Sequence, residues 1–144
     1  MSQRINFRAK MKHNTIDTIS LHTIDGTVGY RIVKFELFSA SPSTERTEST
    51  IKIFKVNPGV ANGAVDFSDN TLIAAGFLGN YEEAQYPPGT SVIFDSEIFN
   101  QDIFVTHDSG NASSVDCNYY IELEQIKLNS NETAVATLKN IKNR

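Results

Sequence analysis

The sequence predicts an all-β protein: a single β-sandwich, jelly-roll or immunoglobulin-like, of about seven to nine strands. Three observations carry that prediction. Short segments alternate apolar and polar residues. Clusters of Gly, Pro, Asn and Asp recur between them. No long segment holds a helical apolar stripe.

Taken in order, residues 1–13 (MSQRINFRAKMKH) carry four cations and no acid. They read as a basic N-terminal arm ahead of a sandwich domain spanning 14–144. From Asn14 the pattern is β, and Asp25-Gly26 is a turn signal. In TVGYRIVKFELFS, Val33, Phe35 and Leu37 share one parity while Lys34 and Glu36 take the other, as in a strand with one dry face. SASPSTERTEST, residues 39–50, reads as a polar loop and IKIFKV as a short strand. VNPGVANGAVDFSDN is dense in turn residues. TLIAAGFLGN is a further strand, weakened by Gly76. Pro87-Pro88-Gly89 sits in a loop, because proline cannot donate to a ladder.

VIFDSEIFNQDIFVTHD repeats Ile-Phe at a spacing of five, which no single straight strand can bury on one side. A break at SEIFNQ resolves this, with strands on either side. VDCNYYIELEQIKL is the clearest strand, and its parity change at Gln125 predicts a β-bulge there. The closing SNETAVATLKNIKNR fits both a helical face (Val135, Leu138, Ile141) and a strand; pairing with the strand before it favours the strand. The sequons at Asn111 and Asn131 mark exposed turns.

Composition narrows the function. The chain has 144 residues, enough for one domain with a real core. Its net charge is −4, but the first 13 residues hold +4, which leaves nine basic and 17 acidic groups, a net −8, in the rest. That balance disfavours direct nucleic-acid binding. No apolar run approaches membrane-helix length. Cys117 is the one cysteine, so no intramolecular disulfide forms, and nothing near the N-terminus resembles the apolar stretch of a signal peptide.

Asp95, Glu97, Asp102, His107 and Asp108 form the densest group of chemistry-bearing residues. Their spacing matches no EF-hand loop, and His13, His22 and His107 have no zinc spacing. They read as solvated strand ends, with His107 at the surface. Cys117 shares parity with Val115, Tyr119 and Ile121 and is expected in the core. Glu122 and Glu124 read as the wet face of a strand rather than a glycosidase pair, and a hydrolase using Glu122 or Asp102 is disfavoured. No catalytic, cofactor or metal site is expected. The basic arm, with Arg4, Phe7, Arg8, Lys10 and Lys12, is the expected interface.

CNYYIELEQIKL, VIFDSEIFNQDIFVTHD and the closing TAVATLKNI, together with VGYRIVKFEL, STIKIFKVN and FSDNTLIAAGF, resemble virion structural proteins of tailed bacteriophages that infect marine bacteria, cyanobacteria especially. The resemblance covers most of residues 24–142 and leaves out 1–13. It implies a non-enzymatic particle component, such as a capsid decoration or cement, neck, tail or fibre protein. The partners it implies are the major capsid or neck and tail proteins and copies of the chain itself. Assembly would take place in the host cytoplasm. The alternative is a carbohydrate-binding module for host-surface attachment, using exposed Tyr81, Tyr86 and Tyr120.

Overall fold

The computed structural model describes residues 3–22, 26–41, 47–80, 89–110 and 115–142. Among these lie eight strands: β1 (Gln3–Met11), β2 (Thr15–Ile19), β3 (Val28–Ser39), β4 (Thr47–Phe54), β5 (Leu72–Asn80), β6 (Gly89–Ile93), β7 (Ile103–Ser109) and β8 (Cys117–Lys127). One helix, α1 (Ser130–Lys142), follows them. Tyr81, Tyr86, Pro87, Pro88, Asp25, the sequon at Asn111 and the middle of the 39–50 loop lie outside the described residues.

The strands form two antiparallel sheets, β1-β8-β3 and β2-β7-β4-β5-β6. The order follows from folding one long hairpin at its middle. β4 pairs with β5, β2 with β7 and β1 with β8, so partners nest outward from the centre of the chain. Rolled up, such a hairpin is a jelly roll, which decides between the two sandwich topologies. The fourth nested pair, β3 with β6, is not a ladder. β6 pairs with β5 instead, and Ser91 Oγ reaches across to donate to the Phe35 carbonyl at 3.0 Å.

Alternation fills the space between the sheets. Tyr30, Ile32 and Phe35 of β3, Cys117, Tyr119, Ile121 and Leu123 of β8, and Ile51, Ile53, Ile103 and Val105 of the second sheet form one buried cluster. Burying each Ile, Leu, Val or Phe of this cluster stabilises the fold by roughly 1.5–3 kcal/mol. Gly76 permits a close approach of the layers, since a Cβ there would lie 2.6 Å from Leu37 Cδ1 and 3.0 Å from the Phe35 ring.

Four expectations are corrected. The basic arm is, from Gln3 onward, strand β1. It pairs with β8 from Gln3↔Gln125 to Met11↔Cys117, and Ile5, Phe7, Ala9 and Met11 pack on the core. Alternation of these residues with Arg4, Asn6, Arg8 and Lys10 gives it a dry face, so it belongs to the sandwich. The bulge lies in β3, where Val33 is the extra residue between Ile32 and Lys34, while β8 keeps its register with β1. The polar loop 39–50 ends early, since β4 already begins at Thr47.

The closing segment is a helix rather than a strand. Asn129 and Glu132 form a reciprocal cap: the Glu132 N–H donates to Asn129 Oδ1 at 2.8 Å, and the Asn129 N–H donates to Glu132 Oε1 at 3.2 Å. Ala136 is buried on the inner side of the helix, and Asn100 Nδ2 ties Thr137 Oγ1 to the Gly26 carbonyl. The sequon at Asn131 thus falls in the first turn of α1.

Between β6 and β7 the Ile-Phe repeat breaks as its spacing requires. Phe99 turns inward and exchanges two backbone hydrogen bonds with Tyr30, at 2.8 and 2.9 Å, while Ile98 stays exposed. The segment joining β4 to β5 folds over the outer side of the five-stranded sheet. Lys52 points that way from β4 and donates to Asn62 Oδ1 at 3.0 Å and to the Ala64 carbonyl. Residues Ile51–Lys55 are therefore buried on both faces.

Candidate functional site

The acidic residues do not converge. Asp95 is exposed on its turn. Glu97 accepts from Lys55 at 3.4 Å. Asp102 fastens the end of β2 by accepting from the Leu21 N–H at 2.9 Å, the His22 N–H at 3.1 Å and His22 Nδ1 at 2.6 Å. Burial pushes the Asp102 carboxyl up, but these bonds outweigh it and hold it below the usual value. Asp108 lies 3.8 Å from His13. Among the described residues no three His, Cys, Asp or Glu side chains group as metal ligands.

His107, expected at the surface, is fully buried. Alternation sends it inward from β7 and Asp108 outward. Its Nδ1–H donates to the Lys12 carbonyl at 3.0 Å, and the Ser49 hydroxyl donates to Nε2 at 2.9 Å. Those partners fix the neutral tautomer with the proton on Nδ1. Burial holds the imidazole below its ordinary value, opposed by the Lys12 carbonyl. A serine beside an imidazole is the pattern of an activated nucleophile. Here both side chains have zero exposure, so no substrate reaches them. The pair instead pins the β1–β2 turn to β4. Cys117 also lies in the core as expected, and burial pushes its thiol up to about 11, which suppresses the reactive thiolate.

The richest surface is the outer face of the three-stranded sheet. Register sets four rows across β1, β8 and β3: Arg4-Glu124-Arg31, Asn6-Glu122-Lys34, Arg8-Tyr120-Glu36 and Lys10-Asn118-Phe38. Arg31 Nε donates to Glu124 at 2.9 Å. Glu122 lies 3.8 Å from Arg4 and 3.9 Å from Lys34 and accepts from the Tyr120 hydroxyl at 2.9 Å. Lys34 also stands 5.9 Å over the Tyr120 ring. Glu122 and Glu124 are thus tied to neighbouring cations across the strands.

Of the residues expected to form the interface, Phe7 packs toward the core, whereas Arg4, Arg8 and Lys10 project outward. Lys12 is exposed in the β1–β2 turn. At the far end of this face Phe38 stands 66% exposed. Sequence reading left it unremarked, although the bulge at Val33 sets its outward parity.

The opposite outer face carries a second patch. Val60, Val65 and Phe67 are exposed on the segment that covers the five-stranded sheet. Phe67 meets Phe94 edge-on, with ring centroids 5.3 Å apart. Asp66 in the same segment is exposed, and its carboxylate accepts from the Ser68 hydroxyl and N–H.

No family model matches the chain, and no curated protein matches it. One similar solved structure is described as the acidic stable capsid structure of Helicobacter pylori bacteriophage KHP30. Its TM-score is 0.42 at 9% identity, over 88% of this chain and 99% of that one. No described helix is long and apolar enough to cross a membrane.

Proposed function

We propose that the chain is a structural component of a bacteriophage particle, acting through protein–protein contacts. The observation that carries this reading is the use of the charged groups. Asp102 caps a strand end, Glu122 and Glu124 sit in cross-strand ladders, and His107 is sealed inside. Large apolar side chains are meanwhile left exposed on both outer faces. Such a jelly roll is suited to bind neighbours through its faces. Within that role it serves as a decoration or cement, neck, tail or fibre protein, contacting major capsid or neck and tail proteins and copies of itself. Assembly in the host cytoplasm follows from the same reading, and the tie to marine and cyanobacterial hosts rests on the sequence resemblance alone.

A carbohydrate-binding role is less well supported. Tyr120 is half-buried, its hydroxyl is held by Glu122, and Lys34 stands over its ring. Antibody labelling of purified particles tests the proposal in the electron microscope. Label at a fixed position on the particle is expected. Unlabelled particles, together with reproducible binding of the chain on a glycan array, would transfer the assignment to the alternative.

A further inference from the structure

The two outer faces carry patches of opposite sign. On the three-stranded sheet, Arg8 and Lys10 lie in the rows that end at Glu36 and Phe38. Neither cation has an ion-pair partner among the described residues. On the five-stranded sheet, Val60 and Phe67 are 64% and 57% exposed, with Asp66 beside Phe67 in sequence. Phe38 points outward from one layer. Lys52, pointing outward from the other, holds the Asn62–Ala64 segment against its sheet. The patches therefore look in opposite directions.

Both halves of a basic-apolar to acidic-apolar match are thus present in one molecule. We infer that copies of this chain stack face to back, with Phe38, Arg8 and Lys10 of one against Val60, Asp66 and Phe67 of the next. A two-fold axis joins like patches, so it cannot make this contact. The association is head-to-tail, and it closes into a ring or grows as a stack. Exposed aromatics supply contact area, and the charges set orientation and reject the like-faced pairing. The inference rests on the reading of the chain as an assembling component.

Two variants test it by analytical ultracentrifugation. One carries Arg8→Glu and Lys10→Glu; the other carries Asp66→Lys and Phe67→Ser. Wild type is expected to self-associate beyond a dimer, more weakly as salt rises. Each variant alone is expected to lose self-association by about tenfold or more. An equimolar mixture brings an unaltered basic face against an unaltered acidic one, so self-association lost by each variant alone is expected to return. A monomeric wild type, a variant that associates as wild type does, or a mixture that stays monomeric would each overturn the face-to-back contact. All four positions lie on outward faces, and melting curves check folding; if either variant melts early, Arg8→Gln and Asp66→Asn replace it with the same expected outcomes. A wild-type chain that is monomeric in solution yet present on particles sinks this contact alone and leaves the particle role standing.

Discussion

His107 concentrates the residue-scale chemistry. An imidazole with zero exposure is tolerated because both nitrogens are satisfied, one by a carbonyl and one by a hydroxyl. Its folded-state value lies below the ordinary 6.5. Above that pH the ring is neutral in both folded and unfolded chains. As pH falls below about 6.5, the unfolded chain takes up a proton that the folded core resists, so stability drops until the folded-state value is passed. Urea unfolding from pH 8 to pH 5 should show that loss, and His107→Gln should flatten it. Because His107→Gln disturbs both buried hydrogen bonds, it should also cost about 1–3 kcal/mol at neutral pH. Gly76 is the matching steric case. Its absent Cβ leaves room for Leu37 and Phe35, so Gly76→Val should destabilise by about 1–3 kcal/mol through overpacking, measured as a lower urea midpoint. The buried position of His107 was not legible in the sequence. Its partners, Lys12 and Ser49, lie 95 and 58 residues away, and only the fold brings them together.

At the scale of elements, alternation was legible wherever one face of a strand is buried. β8 shows this best, because Cys117, Tyr119, Ile121 and Leu123 all point inward between β1 and β3. β1 has the same alternation in Ile5, Phe7, Ala9 and Met11, but its cations equally suit an exposed arm. Charge says which side of a strand is wet; it does not say that the strand is free. Removing residues 2–11 should therefore abolish the cooperative melting transition, since it strips nine paired residues and four core contacts from the edge of the sheet. The helix is ambiguous in the sequence for a related reason. Val135, Leu138 and Ile141 fit a helical face while the Thr-rich AVATL also suits a strand, and the deciding signal is the capping pair Asn129 and Glu132, three residues apart. Asn129→Ala should cost about 1 kcal/mol and raise hydrogen exchange within α1. The segment between β4 and β5 was legible as turns, but not as the cover that buries Lys52. A turn-rich sequence fixes where the chain reverses, not the surface on which the resulting loop lies.

For the whole molecule, the nested pairing of β1–β8, β2–β7 and β4–β5 puts both termini of the described hairpin in one sheet and its centre in the other. That arrangement leaves two broad outer faces with different chemistry. One is a ladder of paired charges ending at Phe38; the other is an apolar cover bearing Asp66. The interior holds the groups that would otherwise suggest reactivity, His107, Ser49 and Cys117, out of reach of solvent. Function is therefore read from the faces, and the reading stands or falls on whether the chain is built into particles. The direct measurement is quantitative mass spectrometry of gradient-purified particles from a lysate in which the chain is expressed, with its copy number referred to the most abundant particle protein. A fixed stoichiometry that survives extensive washing is expected. Particles free of the chain, while it is abundant in the same lysate, would contradict it.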